Sequence, residues 1–364
     1  MIHLKEIDNF SEILKSNTPL LDVRAPIEYI EGSFPNAYNF PLMSDSERHQ
    51  IGICYKEHGQ KSAISLGHEL VSGKTKAQRI DQWSKFVKKY PNGALFCFRG
   101  GLRSKISQEW IYEHSGVSYP RIKGGYKALR TFLLNEMERI SSKMNFLVIG
   151  GQTGCGKTIL LNKFDNSLDL EGYANHRGSA FGNNVTPQPK QIDFENHLIV
   201  DLIKKEHYEN LLIEDEGNNI GTIYIPEVIK AKAKESKIII LRASIEERIQ
   251  ISLKAYVIDM IKKFTDQDPI NGADNFSNYW LGSLFKIKKR LGGVRYDLLL
   301  DQLNIALKNH KENNDLSDFF PLIESLLVDY YDPMYDFQIS NKKQRVIYEG
   351  NFHEVTNFLK EFKS

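Results

Sequence analysis

Two short segments hold residue types whose spacing suits chemistry. The first is Cys97-Phe98-Arg99-Gly100-Gly101-Leu102-Arg103-Ser104, a cysteine and an arginine separated by five residues, two of them adjacent glycines. Such a loop can curl so that its backbone N–H groups converge on an anion at a helix N-terminus. Gly100 and Gly101 permit the backbone angles that this needs. The same field favours thiolate over thiol, so Cys97 is expected to have a lowered pKa and to act as a nucleophile at neutral pH. Arg99 and Arg103 add positive charge, and a guanidinium fork matches a tetrahedral oxyanion. The bland alternative is a core cysteine at a strand end. Some phosphatases use a loop of the same spacing, so the loop by itself leaves its chemistry open.

The second segment, Gly151-Gln152-Thr153-Gly154-Cys155-Gly156-Lys157-Thr158, fits the P-loop pattern GxxxxGK[ST] without deviation. Its glycines let backbone N–H groups wrap a phosphate chain; Lys157 would neutralise the terminal phosphates, and Thr158 could hold Mg²⁺. Cys155 reads as loop filler. A carboxylate partner should end a neighbouring strand, and Glu214 and Asp215 in Leu211-Leu212-Ile213-Glu214-Asp215-Glu216 are the candidates. The polar, glycine-rich loop from Glu171 to Gly182, through Asn175-His176-Arg177-Gly178-Ser179, would bring His176 and Arg177 to the phosphates if it folds back over the P-loop; otherwise it is an exposed loop. Gln188-Pro189-Lys190-Gln191 is similar in kind.

Both segments need a strand before them and a helix after them. Pro19–Val23 and Ala94–Phe98 are apolar runs that predict buried strands, with a helix over 76–90 between them. A polar helix over 126–143 precedes a strand at 146–149 that runs straight into the P-loop, followed by a helix over 157–164. Further strands are expected at 209–213, 222–225 and 237–241. The chain beyond 244 is largely helical until a strand at 345–348. Strands alternating with helices predict an α/β architecture with mostly parallel sheets.

Length and composition set the outer bounds. The 364 residues exceed one ordinary domain. With 41% apolar and 26% charged residues the chain has a globular profile. No apolar run reaches the length of a membrane span, and the N-terminus lacks a signal peptide's pattern, so a cytoplasmic location with no membrane partner is expected. Three scattered cysteines form neither a disulfide framework nor a zinc site, so no metal site is expected from them. A net charge of +2 gives no general affinity for nucleic acid, leaving that to local patches.

Leu20-Leu21-Asp22-Val23-Arg24-Ala25-Pro26-Ile27-Glu28 through Gly32-Ser33-Phe34-Pro35-Asn36-Ala37 resembles the N-terminal signature of rhodanese domains. Gly124-Gly125-Tyr126 is similar to the glycine turn near that domain's end. Adding the P-loop, Ala174–Ser179, Lys288-Lys289-Arg290-Leu291-Gly292-Gly293 and Tyr331-Asp332-Pro333-Met334-Tyr335, nearly the whole chain resembles the tRNA 2-selenouridine synthase family. One departure is that the family's Glu-x-Glu-Ser-Arg segment reads Glu214-Asp215-Glu216-Gly217-Asn218 here.

The resemblance implies an N-terminal rhodanese-like domain (1–135), a linker helix (136–145) and a C-terminal P-loop NTPase-like domain with a parallel sheet and a helical tRNA-binding portion (146–364). It implies that Cys97 carries the chalcogen and that Asp22 and Arg24 are structural. The implied reaction replaces sulfur by selenium at C2 of wobble 2-thiouridine. Selenophosphate is the donor, from a selenophosphate-producing enzyme, and geranyl diphosphate activates the sulfur through a geranylated intermediate. No tightly bound cofactor is implied. The P-loop would then cradle the prenyl diphosphate. For tRNA the basic strip Lys286, Lys288, Lys289, Arg290 and Arg295 beside Tyr279 and Trp280 is the candidate, extended by Lys254, Lys262 and Lys263. Lys123, Lys127 and Arg130 form a second strip. Two other readings stand beside this one: a P-loop kinase or ATPase with a regulatory rhodanese module, and a redox or phosphatase-like module acting through Cys97.

Overall fold

The computed structural model describes residues 4–362. These fall into two compact units. The first runs to Ile140 and takes in Lys190–Glu206; the second is Ser141–Pro189 together with the chain from His207 onward.

Five short strands build the first unit: β1 (Glu6–Ile7), β2 (Leu20–Asp22), β3 (Ala37–Asn39), β4 (Ala94–Phe96) and β5 (Arg121–Ile122). They lie in the order β1-β5-β4-β2-β3, and every pairing is parallel. Crossover helices cover both faces of such a sheet, which is why Leu20, Leu21, Leu95 and Phe96 are all buried apolar residues. The helices Gly73–Lys89, Leu102–Ser115 and Gly125–Lys143 supply much of the cover, whereas Asp45–Leu70, kinked at Gly59, buries only Ala63. Trp83, Phe86 and Ile111 from these helices close the core over Leu21 and Leu95. The chain winds from β2 to β3 on one side of β4 and returns to β5 on the other. The loop after β4 thus leaves the carboxyl end of the central strand at the point where the winding reverses, which is the ligand-binding position in open parallel sheets.

The second unit holds β6 (Asn145–Gly150), β7 (Asn210–Glu214), β8 (Asn219–Ile220), β9 (Ile223–Tyr224), β10 (Lys237–Leu241) and β11 (Val346–Gly350). β8 and β9 form an antiparallel hairpin; the others make a parallel sheet in the order β11-β10-β6-β7. Residues 245–340 are almost entirely helical, and they enclose their own core around Phe276, Trp280, Leu303 and Phe319.

The sequence-expected break at 135–146 falls mostly within one helix, Gly125–Lys143. The helix Gln191–Lys205, expected in the second module, groups with the first unit. Its buried face carries Phe194, Leu198, Ile199, Leu202 and Ile203. Its polar residues are stitched in as well: Ser33 N donates to Asp193 Oδ1 at 2.6 Å, Asn196 Nδ2 donates to Ser33 O at 2.5 Å, and Arg130 Nη1 donates to Asn196 Oδ1 at 2.7 Å. Among the described residues no helix is long and apolar enough to cross a membrane.

Candidate functional site

The loop after β4 is shaped by two glycine turns locked together. Gly100 has φ +64°, and a Cβ there would lie 2.7 Å from Gly124 N; Gly125 has φ +60°, and a Cβ there would lie 2.2 Å from Cys97 O. That close approach lets Tyr126 N and Lys127 N donate to the carbonyls of Cys97 and Phe98 at 2.9 and 3.0 Å. The carbonyls are thereby tied down on one side. Among the described residues, none of the N–H groups from Arg99 to Ser104 donates to a protein acceptor, which leaves them available to an anion. Cys97 Sγ donates to Ser104 Oγ at 3.2 Å, and Ser104 Oγ donates to Gly101 O at 3.0 Å.

The arginines divide. Arg99 is exposed and has no ion pair among the described residues. Arg103 grips both oxygens of Glu28, at 2.5 and 3.0 Å, so its charge is shared with that carboxylate and not offered whole to the thiol. Burial opposes ionisation of Glu28, but Arg103, with Arg48 behind it, holds the carboxyl below its usual range. Beneath the loop, Arg24 chelates Asp22 through Nε and Nη2, reaches Gly32 O at 2.8 Å, and lies 4.0 Å from the Tyr126 ring centroid. Both residues are buried and serve structure. Cys97 is only 3% exposed, yet it borders a cavity of about 1180 Å³ within the first unit.

In the second unit, β6 delivers the P-loop, and Gly151, Gly154 and Gly156 take φ of +152°, +81° and +93°. Lys157 Nζ donates to Gly151 O at 2.9 Å. Burial lowers its proton affinity, but Cys155 and the carboxylates of Glu214, Glu216 and Glu171 outweigh that and keep it charged. Cys155 itself is buried in an apolar cluster with Leu147 and Leu241. A residue that sequence reasoning missed braces the loop from behind. Arg248 is 3% exposed; it donates to Thr153 O at 2.9 Å and Gln152 Oε1 at 3.3 Å, and it is ion-paired with Asp332 at 2.5 Å. The Tyr331-Asp332-Pro333 motif thus acts on the P-loop through Arg248.

The two acidic candidates separate. Thr158 Oγ1 donates to Glu214 Oε1 at 2.7 Å, whereas Asp215 is taken by Lys342 at 2.6 Å. Glu171 and Glu216, neither singled out from the sequence, join Glu214: the three carboxylates put oxygens within 4.8 Å of one another. Glu214 Oε2 is buried with no hydrogen-bond partner. Burial, then the neighbouring charges of Glu171 and Glu216, pushes the Glu214 carboxyl far up; burial and Glu171 push Glu216 up to about 8. A site with three crowded carboxylates, an orphan oxygen and a threonine hydroxyl fits a hard divalent cation, held by Thr158, Glu171, Glu214 and Glu216. Glu171 arrives from the short helix Leu170–Tyr173, at the head of the segment expected to fold back over the P-loop, although His176 and Arg177 were the residues expected to act there.

Other sequence candidates are placed differently from expectation. His176 is buried in the loop that packs on the β8–β9 hairpin; glycines at 182 and 221 make room for its ring. Arg177 donates to Ala255 O and lies 3.9 Å from Asp259, so its charge is directed at a helix. Gln188 is a staple between Ala174 O and Ile220 O. Trp280 is 2% exposed and donates to Tyr256 O at 3.1 Å, while Tyr279 donates to Phe181 O. Trp280 is thus part of the helical core and faces no base, while Tyr279 is partly buried against that core. Lys286, Lys289 and Arg290 are exposed on the helix Gly272–Leu291; Lys288 sits over Tyr296, and Arg295 donates to Asp329 O at 3.0 Å. Phe285, 64% exposed among these cations, is the aromatic that the strip presents. Lys254 and Lys262 are paired with Asp259 and Asp266, Lys263 donates to Asn184, Lys123 pairs with Asp8, and Arg130 is committed to Glu195 and Asn196; Lys127 is exposed.

Comparison with known proteins bears on both units. Residues 144–364 match the family model described as the tRNA 2-selenouridine synthase AAA domain. A tRNA 2-selenouridine synthase of Marinobacter nauticus is 47% identical, over 98% of this chain and 97% of its own. One from a Sulfurovum species is 45% identical over 100% of both chains, and one from Pseudomonas aeruginosa 46% over 97% and 96%.

Proposed function

The chain belongs to the tRNA 2-selenouridine synthase family, and from that premise we propose that it replaces sulfur by selenium at C2 of a wobble 2-thiouridine, using selenophosphate, after geranylation of the sulfur. The observation that carries the reading is the Cys97 thiol at the base of a loop whose N–H groups from Arg99 to Ser104 are unspent. A cradle of that kind suits a tetrahedral selenophosphate and its phosphate product. We take the first unit to be rhodanese-like: it is a five-stranded parallel sheet with its thiol at the carboxyl end of the central strand.

In the first reaction the 2-thiouridine sulfur attacks the allylic carbon of geranyl diphosphate. An S–C bond forms, the C–O bond breaks, diphosphate leaves and N3 loses its proton. The P-loop N–H groups and Lys157 hold the diphosphate, and Arg248 fixes the loop that presents them. Thr158, Glu171, Glu214 and Glu216 would hold a divalent cation, which would supply counter-charge for the diphosphate. In the second reaction selenium bonds to C2 as the C2–S bond breaks, and sulfur departs with the prenyl group as geranylthiol. Water cleaves the selenium–phosphorus bond to release phosphate. Cys97 serves this second step. Phe285 with Lys286, Lys289 and Arg290 offers stacking and charge to tRNA. A cytoplasmic location and an enzyme that makes selenophosphate complete the setting.

The test is reconstitution. Purified protein, 2-thiouridine tRNA and geranyl diphosphate are combined, selenophosphate is added, and nucleosides are read by mass spectrometry at each stage. S-geranyl-2-thiouridine followed by 2-selenouridine is the expected order. ATP turnover without tRNA, and no change at C2, would favour the ATPase reading instead.

A further inference from the structure

The cavity beside Cys97 is out of proportion to the anion that the loop is built for. At about 1180 Å³ it matches or exceeds the usual 300–1,000 Å³ of a small-molecule pocket, whereas a tetrahedral phosphate analogue needs only the cradle itself. Most of its lining surface is apolar. Leu42, Met43, Ile51, Ile64, Leu102 and Ile106 face it from several elements of the first unit. The charged groups at its base are already paired, Arg24 with Asp22 and Arg103 with Glu28. The exposed cations Lys56 and Arg99 stand among its lining residues, where a phosphate backbone could meet them.

We infer that this cavity receives the isoprenoid tail of the S-geranylated base, so that the leaving group of the selenation step is gripped in the same unit as the thiol. The inference rests on the proposed function and names the part of its intermediate that this unit recognises. The reacting C2 must come to the Cys97 loop, and the ten-carbon chain on its sulfur then extends into whatever adjoins that loop. The adjoining space is apolar and large enough for the chain. Burial of the tail orients the C2–S bond and leaves geranylthiol, once formed, in an apolar site.

Gly52 lines the cavity, and a Cβ there would meet nothing within 4 Å, so Gly52→Trp adds bulk without displacing the fold. Ile64→Trp narrows the space from a second point. Single-turnover selenation would be compared on tRNAs carrying ready-made S-geranyl or S-methyl 2-thiouridine, with selenophosphate. The wild type should select the geranyl substrate by about tenfold or more. Both variants should fall toward the methyl rate, with the methyl rate itself unchanged and geranylation of 2-thiouridine tRNA intact. Equal wild-type rates on the two substrates, variants that keep the geranyl preference, or loss of both rates together in variants whose unfolding midpoints match the wild type would overturn the assignment. Because the geranylated tRNA is supplied, failure of the wild type to make it from geranyl diphosphate would strike the functional reading alone.

Discussion

The two glycine loops solve one geometric problem with opposite electrostatics. Each leaves the end of a parallel strand and enters a helix. At Cys97 the loop is held mainly by neutral groups and backbone: two glycine turns interlock, Ser104 Oγ and Arg121 Nη1 donate to the carbonyls of Gly101 and Gly100, and the Arg103 guanidinium is paired with Glu28. At Lys157 the loop is held by a buried ion pair, Arg248 with Asp332, and is faced by three carboxylates. The first we propose to be a modest anion site around a nucleophile. The second is a strongly charged site, where we propose that the carboxylates hold a cation beside a phosphate chain. The difference teaches that a shared strand–loop–helix frame fixes where an anion sits, while side chains outside the motif decide what else must be there.

The widest separation of the two loops should come from Cys97→Ala. We expect selenation to fall by about 10³-fold or more, with geranylation within about twofold of wild type, by nucleoside mass spectrometry. Loss of both steps in a folded variant would break the division. Lys157→Ala should weaken geranyl diphosphate binding by about 100-fold in calorimetric titration, because a buried charged donor is lost; equal affinities would remove the P-loop from prenylation. Arg248→Met leaves Asp332 uncompensated and should lower stability by about 3 kcal/mol in denaturant unfolding. An unchanged midpoint would show that the brace is dispensable.

A pH series sharpens the comparison further. Glu216 is protonated in the fold up to about pH 8 but ionised in the unfolded chain above the ordinary glutamate range. Its contribution to stability is therefore complete below that range and is lost as pH rises to about 8. In chelator, the wild-type melting temperature should fall from pH 5 to pH 8.5 more than that of Glu216→Gln, and Mg²⁺ should narrow the gap. Parallel curves would show the carboxylates to be independent of one another. The smallest effect is expected from Lys289→Ala and Arg290→Ala, each reducing the salt slope of tRNA binding by about one and the affinity by a few-fold.

Motifs whose chemistry lies in contiguous backbone were legible in the sequence. The P-loop strand, the loop cysteine and the order of elements around them follow from local pattern, and the observed strands at 145–150, 210–214 and 237–241 lie within a residue or so of expectation. Contributions from distant segments were not legible. Arg248 reaches the P-loop from an element with no motif of its own, Glu171 was passed over in favour of His176 and Arg177 in the same segment, and nothing local distinguishes the committed Arg130 from a free surface cation. Trp280 was misjudged because an aromatic beside lysines on a helix has the same spacing whether it faces solvent or the core; only packing by Phe181 and Phe319 decides it. β1 and β5, two residues each, are too short to leave a periodic signal, and β3, Ala37-Tyr38-Asn39, lacks the apolar run that marks β2 and β4.

The excursion of Gln191–Lys205 into the first unit has a consequence for biogenesis. The chain passes between the units three times, at 140, 189 and 206. On the ribosome, the cysteine-bearing unit therefore remains unfinished until residues well past the P-loop have emerged. Its Arg130, Ser33 and adjacent apolar surface wait for a helix encoded some fifty residues downstream of the unit's own last helix. Truncation at the apparent domain border would strand that helix on the wrong fragment and leave both products prone to self-association.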